Sequence, residues 1–330
     1  MSASPLLSVR NLKKFFPVSG RRMLRAVDGI SFSLEAREVL GIVGESGCGK
    51  STLGRLALRL IEPAEGQVYF RGEEITALSH RELLRIRRAM QMVFQNPFAS
   101  FNPRIRIRDA LMEVCRYYGM SRETGRARIA GLFADTGLSD NLLLRWPREL
   151  SGGQLQRLAI ARALLSEPEL VVADEPLSAL DVSVQAQLLN LLEALRKTHN
   201  MAMLFISHDM TVVEYLCDRI AVMYLGRIVE IAAARELFGN TLHPYTKSLI
   251  AAVPRLGGAS GPRAVVKGET PNPADRISGC PFAPRCPAAQ RPRCFFEAPG
   301  IREAAPGHFV SCHQAETSGQ QHLLFDPLTF

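Results

Sequence analysis

The chain has 330 residues, 47% of them apolar and 22% charged, which is enough to core one large domain and a smaller one. Its formal net charge of +8 is spread as scattered arginine, densest at Arg104, Arg106 and Arg108. That balance suits nucleic acid or an anionic membrane surface, and equally a solvated face. No apolar run reaches the ~18 residues that span a bilayer, and Met1-Ser2-Ala3-Ser4-Pro5 carries no hydrophobic signal segment. The expected location is the cytosol, with any membrane role borrowed from partners.

Residues 6–16 and 23–34 read as short strands joined by a basic loop. Val39 to Val43 is a continuous apolar strand that runs into Gly44-Glu45-Ser46-Gly47-Cys48-Gly49-Lys50-Ser51, and Thr52 to Ile61 continues as a helix. That octapeptide fits GxxxxGK[ST]: its glycines let backbone N–H groups wrap a phosphate, its lysine supplies a point charge, and its serine can hold Mg²⁺. Gln67 to Phe70 with Gly72 suggests a hairpin, and Met90 to Phe94 another apolar strand ending at Gln95. From Asn96 to Glu149 the pattern turns helical and arginine-rich, predicting an inserted helical subdomain at about 96–150.

Leu150-Ser151-Gly152-Gly153-Gln154 then directly precedes a helix-patterned run, Leu155 to Leu165. A helix N-terminus with bare N–H groups is a second anion site, and it has no lysine of its own. Strands at 169–174, 202–206 and 219–224 alternate with helices at 182–198 and 210–216, implying an α/β fold with a parallel sheet covered on both faces. Residues 253–275, rich in Gly, Pro and Ala, read as a linker. Cys280, Cys286, Cys294 and Cys312 follow at spacings C-x5-C-x7-C-x17-C. In a cytosolic protein such crowding points to metal rather than disulfides. Cys48, Cys115 and Cys217 are isolated and read as packing residues.

The apolar strand Leu170 to Ala173 delivers Asp174 and Glu175 to its C-terminal edge. An aspartate there can hold the Mg²⁺ shell, and the next carboxylate can orient and deprotonate the attacking water. His208, after the strand Met203 to Ile206, is placed to hydrogen-bond a γ-phosphate, and Gln95 to reach Mg²⁺ or the water. Each signal alone has an ordinary structural explanation: a surface histidine, a strand-end carboxylate pair, a chance glycine loop. Their joint order does not. Two phosphate sites in one chain, one of them without a lysine, mark an ATP-binding cassette whose nucleotide lies between two chains.

The chain resembles the ATP-binding subunit of a bacterial ABC importer of the oligopeptide/dipeptide class, from Val9 to about Cys312. The resemblance is carried by residues 43–52, Val93-Phe94-Gln95-Asn96-Pro97, Asp174-Glu175-Pro176 with 178–185, His243-Pro244-Tyr245-Thr246, Gly268-Glu269-Thr270-Pro271 and Gly279-Cys280-Pro281-Phe282-Ala283-Pro284-Arg285-Cys286-Pro287. It implies a P-loop NTPase core over 1–255, with a parallel sheet, an antiparallel β subdomain and the helical insertion, and a small Cys-rich extension over 256–330. By the same resemblance Phe16 stacks on adenine, and Gly44, Glu45, Ser46, Gly47, Cys48, Gly49, Lys50, Ser51 and Thr52 cradle the triphosphate. Lys50 meets the β/γ-phosphates; Ser51, Gln95 and Asp174 serve Mg²⁺. Ser151, Gly152, Gly153 and Gln154 address the nucleotide of the opposite subunit, and Asp181 links the two sites. Glu175, His208 and Gln95 form the catalytic set. Gln95 and the helical stretch after it would receive the coupling helices of the membrane subunits. Leu155 and Leu177 depart from the arginine and valine usual in the family, outside the catalytic set.

The four cysteines lack the paired short spacing of a zinc knuckle. The resemblance favours a [4Fe–4S] cluster, with Zn²⁺ as the alternative and His308 and His313 as further candidate ligands. The implied partners are a second cassette, identical or related, two transmembrane permease subunits and, through them, an extracytoplasmic solute-binding protein, at the cytoplasmic face of the inner membrane. No nucleic acid is expected. Beside a regulatory or metal-sensing ATPase centred on the cysteines, two alternatives stand: the same machine importing nickel or another small solute, and a soluble cassette ATPase acting on nucleic acid or ribosomes. Against the latter, only about a hundred residues separate the glycine loop from the signature, too few for a long coiled coil, and there is one cassette per chain.

Overall fold

The computed structural model of the chain describes residues 4–18, 22–178, 180–253, 269, 271–272, 274–275 and 277–318. In order come β1 (Leu7–Pro17), β2 (Met23–Leu34), β3 (Val39–Val43), α1 (Lys50–Ala57), β4 (Glu65–Phe70), β5 (Glu73–Glu74), α2 (His80–Arg87) and β6 (Met90–Val93). Then follow α3 (Ile107–Tyr117), α4 (Arg122–Thr136), α5 (Gly152–Leu164), β7 (Leu170–Asp174), α6 (Val182–Thr198), β8 (Ala202–Ser207), α7 (Met210–Leu216) and β9 (Arg219–Tyr224). The chain closes with β10 (Arg227–Ala233), α8 (Ala234–Gly239), α9 (Pro244–Ala251), α10 (Arg293–Phe296), β11 (Arg302–Ala305) and β12 (His308–Val310). They fall into two compact units: Met1–Glu35, Val39–Thr76 and Ser207–Phe330 form one, Ala36–Glu38 and Ala77–Ile206 the other.

In the first unit an antiparallel sheet has the order β2-β1-β4-β5. The β4–β5 hairpin turns through Arg71 and Gly72, both at positive φ (53° and 78°), the geometry that two-residue hairpin turns require. In the other sheet of this unit β3 runs parallel to β9, and β10, β12 and β11 extend it antiparallel. The sheet is therefore mixed, where strand–helix alternation predicts a parallel one. The cause is local: β9 and β10 are joined by Leu225 and Gly226, at φ 43° and 79°. A tight turn can only reverse a strand, whereas a parallel return needs a crossover of a dozen residues or more. All five residues of β3 are buried, as a continuous apolar run demands when both faces are covered.

Helix α1 starts two residues before Thr52 and stops at Ala57, short of Ile61. Arg59 takes a left-handed conformation (φ 48°), and Leu60 N–H reaches back to the Arg55 carbonyl at 2.7 Å, a Schellman-type closure. The Arg59 side chain is tied to the Ile75 carbonyl at 2.7 Å, which holds that turn. A side-chain anchor of this kind leaves no periodic trace in the sequence.

In the second unit β6, β7 and β8 form a parallel sheet in that order, and the expected helical insertion is α3, α4 and short 3-10 turns. Helix α2 is additional. Its signal was Ser79 three residues before Glu82, a reciprocal capping box with Ser79 N–H to Glu82 Oε2 at 2.8 Å. Gly137, at φ 64°, closes α4.

Within the first unit the C-terminal strand is held by a buried acid. Glu230 on β10 is fully buried and accepts from Leu242 N–H (2.7 Å), His243 N–H (3.1 Å) and His308 Nε2 (2.9 Å). The His243 Nδ1 accepts from Tyr245 N–H at 3.0 Å and so caps α9. Burial holds the His243 pKa down to about 4, against the opposing pull of Glu230. Between that value and an unfolded pKa of about 6.5, the unfolded chain binds the extra proton. Stability should therefore be complete above pH ~6.5 and fall as pH drops toward 4, by on the order of 3 kcal/mol from this group. Thermal melting of the wild type between pH 7.5 and 5 should show the loss, and His243→Asn, which keeps an acceptor for the cap, should flatten it. Equal slopes in the two proteins would contradict the assignment.

Candidate functional site

In the first unit β3 delivers the chain into the glycine loop, which closes on α1. Gly49 sits at φ 105°, and a Cβ there would stand 1.9 Å from the Ala26 carbonyl oxygen, so no other residue fits. No side chain caps α1 at Gly49, and a helix N-terminus of this kind, at the positive end of the helix dipole, suits an anion. Lys50 is buried and arches back over the loop, its Nζ donating to the carbonyls of Gly44 (2.8 Å) and Glu45 (3.0 Å). A phosphate oxygen is a stronger, charged acceptor than either carbonyl. Ser46 and Gly47 are exposed, and Ser51 and Thr52 are half-buried. Cys48 is buried and burial pushes its thiol pKa up, which makes it a packing residue at the base of the loop.

Phe16 lies half-buried on β1 opposite Leu24, with the Lys14 ammonium 5.4 Å from its ring centroid. His208 is exposed directly after β8. Asp209 beside it caps α7, accepting Thr211 N–H at 2.8 Å, and its own N–H donates to Ser207 Oγ at 3.0 Å, so the backbone on either side of the imidazole is fixed.

In the second unit β7 ends on Asp174, 1% exposed, and the chain then turns sharply at Glu175, whose φ of 45° is unusual for a residue with a side chain. Glu175 N–H donates to the Ile206 carbonyl at 3.0 Å, and Ser178 Oγ donates to the Glu175 carbonyl at 3.0 Å. The turn is thus over-determined, which is how strain persists at sites that use it. Gln95 is exposed at the end of β6, and its Nε2 donates to Glu175 Oε2 at 3.0 Å. Two residues predicted as catalytic from separate motifs therefore touch. The amide oxygen of Gln95 is left as an oxygen donor of the type Mg²⁺ prefers, as are Ser51 and Asp174 by their chemistry. A magnesium site built with substrate phosphates needs only one or two protein ligands, and oxygen donors of these types suit the ion.

Ser151 is the N-cap of α5. Its Oγ accepts Gln154 N–H at 3.3 Å, and Gln154 Oε1 accepts Ser151 N–H at 3.0 Å. Ser151, Gly152 and Gln154 are exposed, while Gly153 approaches α6 so closely that a Cβ would meet Val184 at 2.8 Å. Leu155, the departure from the usual arginine, is fully buried. Asp181 is exposed at the N-cap of α6 with no side-chain capping bond. In the same unit a groove of about 430 Å³ is lined by Gln91, Phe101, Glu113, Tyr117, Tyr118 and Arg162 among others. Gln95 is not among its lining residues.

The extension gathers Cys280, Cys286, Cys294 and Cys312 within range of one another's charge. Burial first, then the neighbouring sulfurs, raises Cys280 to about 11, and burial likewise raises Cys286 and Cys312. Cys280 N–H donates to the Cys294 carbonyl at 2.9 Å. The expected ligand set is nonetheless not assembled: among the described residues no three His, Cys, Asp or Glu side chains stand close enough to hold a metal ion. The donor types suit a metal, and the side chains as placed do not close around one. His308 and His313 have Nε2 engaged by Glu230 and by the Glu297 carbonyl, both at 2.9 Å. The linker lies mostly outside the described residues, as does the end of the tail.

Three residues near the glycine loop had been given no role from sequence. Tyr245 Oη accepts Glu45 N–H, and Arg285 pairs with the Glu45 carboxylate and Tyr224. Tyr245 and Arg285 lie inside motifs that carry the family resemblance, which was the available signal.

Residues 27–178 match the family model described as ABC transporter, and residues 229–294 that of the oligopeptide/dipeptide transporter C-terminal region. The chain is 49% identical over 319 residues to the oligopeptide transport ATP-binding protein AppF of Bacillus subtilis (strain 168), covering 93% of this chain and 97% of that one. It is 47% identical over 314 residues to a putative peptide import ATP-binding protein of Brucella ovis, covering 94% and 98%. Among solved structures, the ATP-binding cassette MJ0796, a dimer in a post-hydrolysis state bound to ADP and Pi, matches with TM-score 0.64 and 29% identity over 69% of this chain and 99% of that one. The cbiO1 protein of Clostridium perfringens, part of the ABC transporter complex cbiONQ, matches with TM-score 0.63 and 26% identity, covering 72% and 91%. Among the described residues no helix is long and apolar enough to cross a membrane.

Proposed function

The chain belongs to the ATP-binding proteins of the ABC transporter family, and from that premise we infer that it hydrolyses ATP to power the import of di- and oligopeptides. The observation that carries the ATPase reading is the phosphate loop, with the uncapped α1 N-terminus and the buried Lys50 folded over it. The peptide cargo is supported by the matched C-terminal region and by the names of the relatives. Nothing singles out nickel or nucleic acid.

The roles follow by residue. Residues 44–52 take the triphosphate, Lys50 its β/γ oxygens, and Phe16 the adenine. Ser51, Asp174 and Gln95 serve Mg²⁺, which when bound neutralises phosphate charge. Glu175 takes the proton of the attacking water, Gln95 holds Glu175 in place, and His208 donates to the γ-phosphate. Ser151, Gly152, Gly153 and Gln154 read the γ-phosphate held by a second cassette, and Asp181 communicates between the sites. ATP then clamps two cassettes because its γ-phosphate contacts both, and hydrolysis removes the shared contact, shifting the population toward the open pair.

The groove lined by Phe101, Tyr117 and Tyr118 suits an apolar helix end from a permease subunit, with Glu113 and Arg162 among its lining as charged partners. The complex would sit on the cytoplasmic face of the inner membrane with a solute-binding protein beyond it. A cassette over 1–255 and an extension over 256–330 are the corresponding division. Affinity capture of the chain from detergent-solubilised membranes should bring down two integral membrane subunits. Capture of ribosomes or nucleic acid instead would move the function to the soluble class.

The four thiols are also proposed as ligands of an iron–sulfur cluster, or of zinc, on their donor chemistry alone. Protein purified without oxygen should then carry iron and acid-labile sulfide, and lose both in Cys286→Ser. Protein free of iron and zinc would retire this reading.

A further inference from the structure

Arg285 ends a 3-10 turn, Ala283–Arg285, set between Cys280 and Cys286. Its side chain is 9% exposed, and its two terminal nitrogens donate to the two Glu45 oxygens, at 2.9 and 3.1 Å, one of them also to Tyr224 Oη at 3.3 Å. Glu45 is the second residue of the glycine loop. Its N–H is taken by Tyr245 Oη at 2.9 Å, and the Tyr245 ring is fully buried against Tyr224 (4.6 Å between centroids) and Phe282 (5.4 Å). Main chain and side chain of one loop residue are thus held by groups 200 and 240 positions away in sequence.

A planar guanidinium engaging both oxygens of a carboxylate fixes orientation as well as charge. It also cancels an anion that would otherwise stand inside a loop built to receive phosphate, where like charges repel. We propose that Arg285 is a positioning residue for the phosphate loop, so that the cysteine-bearing extension sets the affinity of the loop for the triphosphate through Glu45. This deepens the ATPase reading and rests on it.

Arg285→Ala should raise both the Kd and the KM for ATP roughly tenfold, the scale of losing a charged hydrogen-bonded partner, with kcat changed less than about twofold because Arg285 touches no reacting atom. Arg285→Lys should fall between the two, keeping charge without the fork. Adding Glu45→Gln to Arg285→Ala should recover most of the affinity by removing the uncompensated carboxylate. A merely structural arginine would lower kcat and melting temperature together and gain nothing from Glu45→Gln. Titration with a fluorescent ATP analogue, steady-state hydrolysis and a melting curve read all three. Should Arg285→Ala fail to fold, Arg285→Lys and Tyr245→Phe carry the test: weakened binding at unchanged melting supports the clasp, and unchanged binding in both overturns it. Unchanged Kd in a folded Arg285→Ala also overturns it. A wild-type protein that does not bind ATP overturns the ATPase reading instead.

Discussion

Glu175→Gln is expected to cut ATP turnover by about 10²–10⁴-fold, the usual contribution of a positioned general base, while leaving ATP affinity nearly unchanged. Glutamine keeps the shape of Glu175 and keeps an oxygen to accept from Gln95 Nε2, which lies 3.0 Å from the carboxylate in the wild type. The backbone turn at φ 45° is unchanged by the swap, since Ile206 and Ser178 hold it through main-chain atoms. Only the proton acceptor is lost. With hydrolysis blocked and binding intact, the closed pair should accumulate, so sizing in ATP and Mg²⁺ should show dimer where the wild type shows monomer or a mixture. Turnover within a few-fold of wild type would move the base elsewhere, His208 being the next candidate.

Lys50→Ala should fail earlier in the cycle, with ATP affinity lowered on the order of a hundredfold, as expected when a charge-assisted phosphate partner is removed. In the structure the ammonium is buried, with loop carbonyls at 2.8 and 3.0 Å among its partners. Its removal takes away both the positive charge and the tie across the loop. The two variants are therefore separable: Glu175→Gln binds and traps, Lys50→Ala does not bind and does not dimerise with ATP. Equal ATP affinity in Lys50→Ala and wild type would contradict the loop assignment.

Elements governed by local pattern were legible from the sequence. The limits of β3, α6, α7 and β9 coincide with the apolar runs and periodic stretches that announced them. Gln95 and Glu175, 80 positions apart, were given separate catalytic roles from separate motifs, and a hydrogen bond joins them. What periodicity missed depends on contacts between distant residues. Helix α1 stops early because Arg59 is anchored on Ile75. The sheet turns mixed at Leu225-Gly226, a hairpin signal lying between two buried strands that resemble those of a parallel sheet. The Glu45–Arg285 pair spans 240 positions, and no window on the sequence contains both residues. The cysteine spacing invited a metal, whereas among the described residues the thiols close no ligand set.

The most direct test of the account is uptake of labelled di-, tri- and pentapeptides by cells that lack any redundant peptide importer and carry either the wild type or Glu175→Gln. Uptake with the wild type that is lost in the variant, at equal protein level and equal membrane association, is the predicted result. Peptide uptake that is the same in both strains would contradict it.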